Sequence, residues 1–196
     1  MRLFVAVRPP IEVLAELESA VAPLRALPGA ERLRWTLPEA WHLTLVFLGE
    51  VPQERLPELR DGLAQVALGY VVHQVRLAGG GRFGDRVLWV GLAGQTWALR
   101  SLARAVTQVA SEVLAVEEEF SYHPHLTLAR AGGRGHHSHP GREERAALHE
   151  AAERLETFEG AEYSVTSIQL MRSDFGSGHG PVHYTSVGSW DLAYPQ

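Results

Sequence analysis

The tetrapeptide His-Leu-Thr-Leu occurs twice, at 42–45 and 125–128, each time after a proline-containing turn and each time opening an apolar run. Side chains along a strand alternate with a period of two, so His42 and Thr44 share one face while Leu43 and Leu45 take the other. The same holds for His125 and Thr127 against Leu126 and Leu128. Each copy therefore presents an imidazole and a hydroxyl together and buries two leucines behind them. A single histidine in a strand is more often a packing or surface residue than a reactive one. Two identical segments, one in each half of the chain, point to a shared task.

The flanking pattern supports two similar halves. RLFVAVR, residues 2 to 8, reads as a buried strand ended by Pro9 and Pro10. Leu14, Leu17, Val21 and Leu24 then recur at helical steps. Leu33–Thr36 and Trp41–Gly49 read as strands, followed by a helix with Leu56, Leu59, Leu63 and Val66 on one stripe. Tyr70–Leu77 and Arg86–Leu92 read as strands joined by the glycine-rich Gly79–Gly84 connection. A third helix carries Leu99, Leu102, Val106, Val109 and Val113. Beyond the second His-Leu-Thr-Leu segment, Ala131–Gly141 reads as a loop and Arg142–Phe158 as a fourth helix. Strands Tyr163–Arg172 and Val182–Trp190 close the chain. This predicts an α+β fold in which two antiparallel-type sheets line a central cleft with helices outside. No linker divides residues 1–196, so one bilobal domain is expected.

Several chemistries are excluded by composition. There are no cysteines, and all 18 basic residues are arginine, so thiolate metal sites, cysteine nucleophiles, Schiff bases and P-loop lysines cannot operate. The net charge of -5 speaks against coating long nucleic acid but not against binding one terminal phosphate. The opening MRLFVAVRPP lacks a signal-peptide layout and its apolar run is too short for a membrane span, so a cytoplasmic protein without membrane attachment is expected.

Two histidines facing each other across a cleft suit in-line displacement at phosphorus. One neutral imidazole takes a proton from the attacking water while one imidazolium gives a proton to the departing ribose oxygen. An unperturbed pKa near 6.5 lets both forms coexist near neutral pH. Thr44 and Thr127 can donate to non-bridging phosphate oxygens. The scheme needs no metal and no cofactor.

With MRLFVAV, HLTLVFLGEV, VLWVGL, PHLTLAR and GPVHY in place, the whole chain resembles the two-histidine phosphoesterases, and within them the bacterial and archaeal RNA 2′,3′-cyclic phosphodiesterases, historically called 2′-5′ RNA ligases. The resemblance implies a bilobal fold and metal-independent opening of a terminal 2′,3′-cyclic phosphate to a 2′-phosphate. It implies His42 as proton donor, His125 as proton acceptor and Arg130 as a phosphate ligand. The near-symmetric motifs themselves do not rank the two histidines. Arg130 lies five residues beyond His125, an odd step that in a regular strand turns it away, so the strand must bend or end near Ala129 if Arg130 is to take part. The expected partner is an RNA 3′ end, a small cyclic phosphate or a nucleotide, and a monomer is expected.

Two other functions use the same residues: ATP-independent 2′-5′ end joining, and a module that binds RNA ends or nucleotides without turnover. Remaining candidates are weaker. His136, His137 and His139 sit in a glycine-flanked loop without carboxylates, a poor metal site. His123 is separated from His125 by Pro124, and His183 and Tyr184 open the last strand where they can border a cleft or pack. Phe4, Trp41, Phe47 and Trp89 are candidates for stacking on a base. GGGRFGD lacks the spacing of a phosphate loop.

Overall fold

Strand β1 (Arg2–Val7) is buried on both sides: Leu3, Val5 and Val7 enter the main core, while Phe4 and Ala6 pack with Met171 on the opposite face. That double burial places β1 in the interior of a sheet. The computed structural model describes residues 1–114, 122–132, 139–174 and 183–194. After β1 come α1 (Ile11–Val21), the short β2 (Arg34–Trp35), β3 (Leu43–Glu50), α2 (Leu56–Gly69), β4 (His73–Phe83) and β5 (Val87–Gly94). Then follow α3 (Thr96–Leu114), β6 (Leu126–Arg130), α4 (Arg142–Leu155), β7 (Glu159–Val165), β8 (Ser167–Asp174) and β9 (His183–Asp191).

Among the described residues these strands form one sheet, ordered β7-β4-β5-β6-β3-β1-β8-β9 with β2 beside β6. Every named pairing is antiparallel. The two expected sheets are thus the two halves of a continuous one, joined at β3 and β6 through the pair Leu43 and Leu126. These are the second residues of the two His-Leu-Thr-Leu segments, so the join lies on the axis that relates the halves. Strand, helix and neighbouring strand follow each other in both halves, as β1-α1-β3 and β5-α3-β6. The helices cover the back of the sheet, α4 on β4 and β5, α3 on β3 and α2, α2 on β9. None of the described helices is long and apolar enough to cross a membrane.

Two readings of the sequence need correction. Residues 163–172 are not one strand: β7 pairs with β4 in one half, and after Thr166 β8 pairs with β1 in the other. The buried residues shift phase there, from Tyr163 and Val165 to Ile168 and Leu170. The glycine stretch 79–83 is strand, not connection, and the turn is confined to 84–86. A Cβ on Gly80 would run into Leu155 Cβ and lie 2.8 Å from the Ala152 carbonyl oxygen, and one on Gly81 would run into the Trp89 ring. Glycine at these positions lets α4 and the indole lie flat on the sheet.

Candidate active site

His42 stands just before β3 and His125 just before β6, next to the pair that joins the halves. Each ring is fixed from behind in the same way. His42 Nδ1 is 2.7 Å from the carbonyl oxygen of Ala40, and His125 Nδ1 is 2.7 Å from that of His123. A carbonyl only accepts, so Nδ1 carries the proton in both rings and Nε2 is the nitrogen available for chemistry. Ala40 closes a single helical turn that begins at Pro38, and Pro124 separates His123 from His125. The proline-containing turns therefore serve to place an acceptor two residues before each imidazole.

Both rings line a cavity of about 250 Å³ together with Thr44, Thr127 and Arg130, so the five residues singled out by sequence converge. The exposed Arg130 reaches the cleft by a bulge. Thr127 pairs with Trp89 and Ala129 with Leu88, which leaves Leu128 as an extra residue on β6. Leu128 and Ala129 are consequently both buried, the alternation slips by one, and Arg130 returns to the face of Thr127. The first motif has the same device: Thr44 pairs with Ala6 and Val46 with Val5, so Leu45 is the extra residue and Phe47 turns to the cleft. The last leucine of each tetrapeptide is thus a bulge, and Phe47 and Arg130 are counterparts across the axis.

The surroundings of the two histidines differ. His42 lies 4.7 Å from the Phe4 ring and 5.0 Å from Tyr184, which meets it edge-on. Burial among these rings pushes its pKa down to about 4, reinforced by repulsion from Arg8 and His125 and partly offset by the bond to Ala40. His125 is bordered by Phe83 at 4.8 Å and perpendicular, and by Trp89 and His123 at 6.4 Å. Burial again lowers its pKa, less strongly, with His123 and Arg130 adding repulsion and the His123 carbonyl opposing them. In the protein alone both rings therefore favour the neutral form.

Of the aromatic candidates, Trp41 is core, with 1% of its surface exposed, whereas Phe47 is 69% exposed and lines the cavity. Phe4 and Tyr184 line it too, and Trp89 leans on His123 at 4.9 Å. His123 is exposed; His183 pairs with Asp174 at the start of β9. His136 and His137 lie outside the described residues, and His139 is exposed. Sequence reading missed Arg2, Thr36, Phe83 and Ser173. Arg2 was open to it, because Arg2, Phe4 and Ala6 keep one phase; Phe83 was hidden by reading its glycine-rich segment as a loop.

Comparisons with known proteins place the chain in a family. The profile of the 2′-5′ RNA ligase superfamily matches residues 9–176. A Thermus thermophilus protein named RNA 2′,3′-cyclic phosphodiesterase is 36% identical over 142 residues, covering 66% of this chain and 68% of its own. A crystal structure of a Thermus thermophilus protein superposes with a TM-score of 0.74 at 26% identity over the whole of both chains. Escherichia coli LigT complexed with 3′-AMP gives 0.70 at 25% identity, over 97% of this chain and 96% of that one. Shared profile, shared topology and a cleft built by two equivalent motifs lead to one conclusion: this chain belongs to the 2′-5′ RNA ligase superfamily.

Proposed function

We propose that this protein hydrolyses the 2′,3′-cyclic phosphate at an RNA 3′ end to a 2′-phosphate, with His42 as acid and His125 as base. The observation that carries the reading is the matched pair of imidazoles, each with Nδ1–H held by a carbonyl two residues back and Nε2 turned to a common cavity that also holds Arg130. The names of the curated relatives, RNA 2′,3′-cyclic phosphodiesterase, and the nucleotide bound by LigT support the substrate class.

Neutral His125 Nε2 accepts a proton from water as its oxygen attacks phosphorus. The bond from phosphorus to the ribose 3′ oxygen breaks, and that oxygen takes the proton from His42 Nε2. Thr44, Thr127 and Arg130 donate to the non-bridging oxygens, where charge accumulates. After one turnover the histidines have exchanged protonation states, and exchange with solvent resets them. None of these steps requires a metal. End joining would replace water with a 5′-hydroxyl at the same site; the far greater abundance of water favours hydrolysis. Because each half supplies one histidine, the two halves act as a unit, and one copy of the chain in the cytoplasm suffices.

The test is turnover of a short RNA ending in a 2′,3′-cyclic phosphate, with EDTA present. Wild type yields a 2′-phosphate and the His42→Ala, His125→Ala double variant yields none. Binding of intact RNA without opening would replace this reading with that of an end-binding module.

A further inference from the structure

The acid and base roles give the cleft a direction, and the direction leads to residues outside the histidine machinery. In-line attack places water beside His125 and the departing ribose oxygen beside His42, so the ribose lies over the half that contains β1, β3, β8 and β9. On that half the exposed Phe47 follows Thr44 along the cleft face of β3. Beyond Phe47 the cavity wall is Gly49, Arg2 and Ser173.

The register puts Arg2 and Ser173 side by side. Leu3 pairs with Arg172 and Phe4 with Met171 without a shift, so Arg2 falls opposite Ser173 and on the same face as Phe4. Ser173 in turn pairs with Tyr184, whose ring borders His42. Arg2 is exposed at this end of the cavity. Ala6 sits opposite Thr44, and Arg2 is four residues further along β1, roughly 13 Å at strand spacing. One nucleotide and an arginine side chain span that interval. On the other half the cavity wall is Thr36, His125, Thr127 and Arg130, of which Arg130 and Thr127 are given to the reacting phosphate in the proposed mechanism.

We propose that Arg2 and Ser173 bind the phosphate on the 5′ side of the terminal nucleotide, so that the enzyme selects an RNA end over a mononucleoside 2′,3′-cyclic phosphate. This inference rests on the hydrolytic reading and on His42 as the acid. A guanidinium and a hydroxyl on a rigid sheet suit a phosphodiester: the first supplies charge-assisted donors, the second a neutral one. A mononucleoside cyclic phosphate reaches the histidines but offers no second phosphate, so its turnover does not draw on this contact.

The experiment compares kcat/KM for adenosine 2′,3′-cyclic phosphate with that for the dinucleotide ending in the same cyclic phosphate, in wild type and in Arg2→Gln. Wild type prefers the dinucleotide, and the ratio of the two values falls about tenfold in the variant, as expected for one lost charge-assisted hydrogen bond. Salt provides an independent reading. The dinucleotide's log kcat/KM falls with log salt more steeply than the mononucleotide's by about 0.7, the increment for one single-strand phosphate contact, and Arg2→Gln removes the difference. An unchanged ratio and equal salt slopes in both proteins overturn the inference while leaving hydrolysis standing. If wild type opens neither substrate, the hydrolytic reading falls and takes the inference with it.

Discussion

An anion entering the cleft should bring a proton with it. His42 is held near 4 by burial, so at pH 6 only about one ring in a hundred is protonated. For His42 to act as the proposed acid it must be protonated once substrate is bound, and the substrate's own negative charge can supply that change. One negative charge about 4 Å from the imidazole, at an effective dielectric of about 20, is worth about 4 kcal/mol. That equals about three pKa units and brings His42 to about 7. Sulfate is a suitable probe because it does not itself titrate in this range, and its second charge adds to the effect. Calorimetric titration with sulfate at pH 6, repeated in two buffers of different ionisation enthalpy, should show uptake of close to one proton per site. His42→Asn should lose most of it, and what remains belongs to His125. Binding whose heat is the same in both buffers, with no proton taken up, would refute the claim that the anion creates the acid.

The same depressed pKa makes the fold sensitive to acid. His42 is neutral in the native state down to about pH 4 but protonates near 6.5 when unfolded, so the unfolded state binds more protons between these values. Stability should therefore be full above pH 6.5 and fall as pH drops toward 4, by about 3 kcal/mol from this residue, and urea titrations of His42→Asn should lack that share. Thr44→Ala and Thr127→Ala should each cost about 1 to 3 kcal/mol in transition-state binding, read as kcat/KM on cyclic-phosphate RNA. Arg130→Lys keeps the charge but not the planar fork, and should recover only part of the activity lost in Arg130→Ala. Gly80→Ala should destabilise by about 1 to 3 kcal/mol in urea unfolding, because its Cβ meets the backbone of α4 and not only a flexible side chain.

What could be read from the sequence was what repeats or alternates. The helical stripes located α1 to α4, and the duplicated tetrapeptide located His42 and His125, because a period of two or 3.6 depends only on neighbours in the chain. Features that depend on a neighbouring strand were not legible. The change of partner at Thr166 is one, and the paired bulges at Leu45 and Leu128 are another. The glycines at 80 and 81 resemble a loop until Leu155 and Trp89 are seen lying against them. These hidden features matter most for the chemistry. Without the bulges both motifs would offer only an imidazole and a hydroxyl, and the halves would differ only in the rings around each histidine, Phe4 and Tyr184 against Phe83 and Trp89. The bulges bring the fifth residue after each histidine to the surface of the cleft, and there the halves differ, Phe47 against Arg130. On the His125 side Arg130 adds repulsion to that ring and is placed to meet phosphate oxygens, whereas on the His42 side Phe4 and Phe47 line the cavity. In the proposed mechanism this pair adds to the difference between the two sides, and exchanging them, Phe47→Arg with Arg130→Phe, should abolish turnover even with both histidines in place.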